Sequence, residues 1–201
     1  MPLEIAQAIQ DARLDDLRVK LATALPAASR QLPFTLEIGS GHGHFLTGYA
    51  EANRDKFCLG IDIIQDRLDR SERKSRRAGL TNIAWLRAEA SLFLSALAGS
   101  PDLPPLNEIF LLFSDPWPKR RHWKNRVLQP EFLTTLAARA GKGARFFFRT
   151  DHAPYFSQAH DFIVQHPDWV LCTEEPWPFE LVTVFQQRAE AGYQSLIARR
   201  A

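Results

Sequence analysis

"FTLEIGSGHGHF", residues 34–45, carries an apolar run into glycines at 39, 41 and 43 and then into a helical pattern. Glycines between a strand and a helix allow a tight turn and let a ligand come close to the backbone. Outward from this turn the same alternation repeats. Strand patterns fall at 57–63 ("FCLGIDI"), 83–89, 108–114, 144–150, 168–174 and 193–199. Helical patterns fall between them, at 43–53, 65–78, 90–98, 130–140 and 154–166. Continuous apolar strands separated by helices predict an α/β fold with a mostly parallel seven-stranded sheet and helices on both faces. Ahead of the sheet, residues 3–25 read as an amphipathic helix striped with Ile5, Ile9, Leu17, Leu21 and Leu25. Residues 1–30 are therefore expected as a helical extension and 31–201 as the main domain.

Composition fits that outline. The 201 residues are 45% hydrophobic and 24% charged, enough for a full core and unlike a disordered chain. No apolar run reaches the length of a membrane span, and the first thirty residues lack the apolar stretch of a signal peptide, so a cytoplasmic protein is expected. Cys58 and Cys172 sit in strand-like runs and read as buried, reduced thiols. His42 and His44 have no partners at metal-ligand spacing, so no metal is expected.

Ligands of parallel sheets bind beyond the carboxyl ends of the strands. That rule brings the glycine turn, Asp62, Glu89, Asp115 and Asp151 to one rim. The turn is G-x-G-x-G, not the G-x-G-x-x-G of dinucleotide folds, and an arginine-rich helix follows Asp62. Glu37 can hold a ligand amino group through the turn, Asp62 a ribose diol, and Glu89 an adenine amino group. S-adenosylmethionine offers all three and no phosphate. For Asp62 alone, the plain alternative is an acid at a helix N-terminus.

Net charge is only +2, but its distribution is uneven. "RLDRSERKSRR" (67–77) holds six cations and two acids, and Arg67, Arg70, Lys74 and Arg77 fall on one helical face. "LLFSDPWPKRRHWKNR" (111–126) ends a strand in Ser114-Asp115 and then places five cations within eight residues. Either cluster alone is an ordinary solvated face. Together, with aromatics among them, they point to a polyanion. Trp117 is expected in the core, with Trp123 either packed or stacking on a base.

The order "LEIGSGHGHF", "GIDI", "LRAEA", "FSDPWPKRRHWKNR", "TD" and "TVFQQR" closely resembles the bacterial tRNA (guanine-N7)-methyltransferases over roughly residues 34–200. The resemblance implies the class I Rossmann-like methyltransferase fold and methyl transfer from S-adenosylmethionine to N7 of a guanosine in the tRNA variable loop. It implies cofactor roles for Glu37, Gly39, Gly41, Gly43, Asp62, Glu89 and Asp115, with Asp115 also catalytic. It implies substrate roles for Lys119, Arg121, His122, Asp151, Thr183, Gln186 and Arg188. It leaves a monomer and a homodimer open.

This chain departs from the pattern at three places. Ser114 replaces the first proline of F-P-D-P-W, Trp123 and Asn125 alter the basic H-N-K-R-R run, and Gln186 replaces the acid of T-x-F-E. These departures feed two alternatives. One is a paralogue acting on another RNA or a small molecule, the other an RNA-binding protein that keeps the cofactor fold without turnover. The intact glycine turn, Asp62 and Asp115 argue against the second, since a retired site has no physical need of them.

Overall fold

The computed structural model describes residues 3–181 and 192–201, with the side chains of residues 3, 4 and 28 left aside. Seven strands form one sheet: β1 (Phe34–Ile38), β2 (Phe57–Asp62), β3 (Ile83–Arg87), β4 (Leu106–Leu112), β5 (Ala140–Thr150), β6 (Trp169–Cys172) and β7 (Gln194–Arg200). Their order is β3-β2-β1-β4-β5-β7-β6. The first five run parallel, and β7 pairs antiparallel with both β5 and β6. The expected mostly parallel sheet is present.

Among the described residues six α-helices accompany the strands: α1 (Leu3–Ala24), α2 (His44–Ala52), α3 (Gln65–Arg77), α4 (Ala90–Ala98), α5 (Pro130–Ala137) and α6 (Ala153–Gln165). Two apolar clusters separate the sheet's faces. The larger packs Phe34, Leu36, Ile109, Phe146 and Phe148 against residues of α1, α4, α5 and α6. The smaller packs Phe110 and Phe147 against Phe45 and Tyr49 of α2, with Trp177 and Phe179 laid over them. Consecutive β5 phenylalanines serve opposite faces, as the two-residue period of a strand requires. Burying such a side chain stabilises by about 1.5–3 kcal/mol, which is why these strands read as unbroken apolar runs.

The structure departs from the sequence pattern in several places. Helix α5 stops at Ala137, and β5 begins at Ala140, earlier than its apolar stretch. Two glycines there hid the strand's first half. Cys58 is buried, but Cys172 is only half-buried, because β6 is an edge strand. The α1 stripe is buried only in its second half. Leu17, Leu21 and Leu25 enter the core while Ile5 and Ile9 stay exposed. Among the described residues no helix is long and apolar enough to cross a membrane.

Strand order reverses between β1, whose successors step outward to β2 and β3, and β4, whose successor lies on the other side. A crevice opens at such a switch point, above the carboxyl ends of the strands. Ile38 pairs with Leu111 there, so the glycine turn after β1 and the Ser114-Asp115 turn after β4 face each other.

Candidate active site at the switch point

On the β1 side the chain turns through Gly39, Gly41 and Gly43 at φ of 73°, 55° and 64°, a region other residues adopt with strain. Gly43 is doubly constrained, since a Cβ would lie 2.5 Å from the Trp85 ring and 2.7 Å from Ser71. Gly39 and Gly41 instead have no atom within 4 Å of where a Cβ would point, so that side of the turn is an open cradle. Asp62 ties the turn down: its Oδ2 accepts the Gly41 N–H and its Oδ1 the Ile64 N–H, both at 2.9 Å. Arg67 approaches the same carboxylate at 3.6 Å. Lys74 donates to the His42 carbonyl at 2.7 Å. Two cations of the α3 face therefore serve the turn, whereas Arg70 and Arg77 are exposed.

Glu37 lies beneath that cradle at 4% exposure, and its Oε2 has no hydrogen-bond partner. Burial pushes its carboxyl from 4.5 up to about 8; the Leu46 N–H pulls it down, the Asp62 charge pushes it up, and Lys74 pulls it down. Burial, with Arg70, Arg67 and Lys74 nearby, lowers His42. A buried carboxylate with an idle oxygen, under a turn open on one side, fits a cationic amine.

Glu89 occupies the N-cap of α4, where its two oxygens accept the N–H groups of Ser91 and Leu92, each at 3.0 Å. It is first a helix cap. Each oxygen keeps a second lone pair, so an adenine amino group, the partner expected from the sequence, would have only what capping leaves over. Sequence reading missed Ile63 beside Asp62, a large apolar side chain at 62% exposure on the same rim.

Across the crevice, β4 ends in a strained turn. Phe113 and Trp117 take φ of 50° and 42°, and among the described residues these are the non-glycine residues with positive φ. Such conformations cost about 1–3 kcal/mol each and persist where surroundings hold them. Asp115 lies between them, exposed, its Oδ1 accepting the Trp117 N–H at 3.0 Å. Ser114 Oγ reaches Tyr155 Oη at 3.5 Å.

Trp117 is not in the core, contrary to expectation. It is half-buried and meets His122 edge to face at 5.7 Å. Beyond it, Arg120–Asn125 form a short 3-10 helix. Lys119, Arg120, Arg121 and Lys124 are exposed; His122 is half-buried, and its Nε2 accepts from Arg121 at 3.2 Å. Arg126, expected with the phosphate-facing cations, is instead buried. The signal available was its place before the apolar "VL" of residues 127–128.

At the end of β5, Asp151 is exposed on the rim as expected. Its neighbour Arg149 was overlooked because it ends a run of phenylalanines. Arg149 is buried, forks onto the Glu180 carboxylate at 2.8 and 3.0 Å, and lies between the rings of Trp177 and Tyr193 at 4.0 and 4.6 Å. It fastens the strap after β6 to the rim. Leu181 of that strap lies 3.1 Å from where a Gly48 Cβ would stand, above α2. Thr183, Gln186 and Arg188 lie outside the described residues. Among the described residues no group of His, Cys, Asp and Glu could hold a metal ion.

The arrangement has counterparts among known proteins. A family model described as "Putative methyltransferase" matches residues 31–196. A tRNA (guanine-N(7)-)-methyltransferase of Streptomyces avermitilis is 37% identical over 68% of this chain and 46% of its own length. One from Listeria innocua is 36% identical over 62% and 56%. The chain spans about half the length of these two relatives. One from Synechococcus elongatus is 30% identical over 84% of this chain and 82% of its own. Among solved structures, the aminoglycoside resistance methyltransferase NpmB1 superposes with a TM-score of 0.62 at 18% identity, covering 92% of this chain and 93% of that one. TrmN from Thermus thermophilus superposes at 0.58 and 17% identity, over 90% of this chain and 48% of its own. Those two likenesses bear on the fold. With most of its length matched by the family model and the Synechococcus relative spanned almost throughout, this chain belongs to the tRNA (guanine-N(7)-)-methyltransferase family.

Proposed function

We propose that this chain transfers the methyl group of S-adenosylmethionine to N7 of a guanosine in tRNA, in the variable loop. The observation that carries the proposal is the position of Asp115. This exposed carboxylate, fixed by the Trp117 N–H, stands across the switch point from the glycine cradle and at the root of the basic 119–124 segment.

Bound S-adenosylmethionine supplies an electrophilic methyl on a sulfonium. The idle Glu37 oxygen and the open faces of Gly39 and Gly41 suit its amino end. Asp62 suits the ribose, and Ile63 with Glu89 the adenine. Guanine N7 carries a lone pair at neutral pH, so no residue has to remove a proton. The protein's work is alignment and charge stabilisation. As the purine becomes cationic, the Asp115 carboxylate stabilises it. Lys119, Arg121 and their neighbours hold phosphates, which fix register without reading sequence. Asp151 and the segment bearing Thr183, Gln186 and Arg188 take the target's other edge. Such an enzyme works in the cytoplasm, where tRNA is.

The test is labelled methyl transfer to bulk tRNA lacking N7-methylguanosine, followed by nucleoside analysis. Label in N7-methylguanosine supports the proposal. Label in another nucleoside overturns the target, and strong tRNA binding without label overturns the activity.

A further inference from the structure

The five cations after Asp115 look equivalent in the sequence, and the structure divides them. Four are exposed, while Arg126 has 2% of its surface in contact with solvent. Its guanidinium lies 4.2 Å from the Trp123 ring and 4.7 Å from that of Tyr155. Nε donates to the Pro116 carbonyl at 2.7 Å, and Nη1 donates to Gln158 Oε1 on α6 at 2.7 Å. A phosphate cannot reach a group so enclosed. The Pro116 carbonyl, however, belongs to the residue that follows Asp115. The turn it sits in holds bulky residues at positive φ on both sides. Strain of this kind needs external restraint. Among the described residues two hydrogen bonds bear directly on the 115–117 turn: Trp117 N–H to Asp115 from within, and Arg126 to Pro116 from outside. A planar fork between two rings is stiff in a way that a lysine is not.

We infer that Arg126 is a positioning residue: it fixes the Asp115 turn against α6 and takes no part in holding tRNA phosphate. The inference rests on Asp115 facing the reacting guanosine.

The test compares the wild-type full chain with Arg126→Lys and Gln158→Ala. Each is assayed for kcat and KM in methyl transfer to tRNA, and for tRNA affinity against salt concentration without turnover. Arg126→Lys keeps the charge and loses the fork. Its kcat should fall about ten- to a hundred-fold, the scale of a misplacement near 1 Å, with KM for tRNA and the salt slope as in wild type. Gln158→Ala should lose kcat in the same direction and less. A salt slope lowered by about 0.7–0.9 in a third, charge-removing variant, Arg126→Gln, would mark a lost phosphate contact and overturn the inference. Wild-type kcat in both Arg126→Lys and Gln158→Ala would overturn it too. If Arg126→Lys does not fold, the kcat of Gln158→Ala decides: a fall supports the inference and a wild-type value overturns it. A wild-type chain that moves no methyl to tRNA fails the proposed function, and the salt slope, read without turnover, still separates positioning from phosphate contact.

Discussion

Asp62 holds the glycine turn closed, its Oδ2 accepting the Gly41 N–H at 2.9 Å from the end of the neighbouring strand. The same carboxylate takes the Ile64 N–H, so it shapes both walls of the cofactor side before any ligand arrives. Asp62→Ala leaves the buried Gly41 N–H without an acceptor, at about 1–3 kcal/mol, and frees the part-buried Ile64 N–H at a smaller cost. Thermal unfolding should drop in the free protein, and added S-adenosylmethionine should no longer raise it. A variant with wild-type midpoints in both conditions would show that the carboxylate is dispensable to the turn.

Glu37 sets a pH dependence. Its carboxyl stands at about 8 in the folded chain against an ordinary 4.5, so the folded state holds the proton more tightly than the unfolded one. Its contribution to stability is present in full below pH 4.5 and is lost as pH rises through 8. An ammonium ligand needs the ionised form, so S-adenosylmethionine binding below pH 8 should release a proton. Calorimetry in two buffers of different ionisation enthalpy reads that release directly. Glu37→Gln should remove the proton release, weaken binding, and flatten the stability of the free protein across the window.

How far the sequence foretold this site follows from what each residue does. Glu37, Asp62, Asp115 and Asp151 are polar breaks at or near the ends of apolar runs, and strand order alone brings them to one rim. Arg126 and Arg149 were misjudged or missed because their roles depend on rings far along the chain, Tyr155 for one and Trp177 and Tyr193 for the other. A cation's sequence neighbours do not say whether an aromatic sandwich awaits it. Glu89 shows the converse, a residue whose rim position was foreseen while its two backbone partners were not.

Asp115 should be the residue whose charge matters most to the chemical step. Asp115→Asn keeps an acceptor for the Trp117 N–H, so the turn survives and the negative charge is lost. Removing one such stabilising group costs about a hundred- to a thousand-fold in turnover. Single-turnover methyl transfer at saturating tRNA and cofactor measures the step. Turnover within a few-fold of wild type, with an unchanged unfolding midpoint, would rule out the electrostatic role.

Lys119 and Arg121 lie exposed at the start of the basic segment. Each phosphate contact contributes about 0.7–0.9 to the slope of log affinity against log salt. Replacing both with alanine should lower that slope by the sum of two contacts and raise KM for tRNA. S-adenosylmethionine binding should not change. A slope equal to that of wild type would mean these side chains touch no phosphate.

Gln186 stands where the family pattern has an acid. A carboxylate accepts the N1–H and N2 amino protons of guanine together, while an amide offers one acceptor and turns an NH2 towards those donors. A good bidentate base contact discriminates by about 1–3 kcal/mol. Gln186→Glu should therefore raise kcat/KM on tRNA about ten- to a hundred-fold. The gain should depend on the N2 amino group. With inosine in place of the target guanosine, which lacks that amino group, the substitution should help far less. Equal improvement on both substrates would assign the effect to the added charge alone, and no improvement on either would take residue 186 out of base recognition.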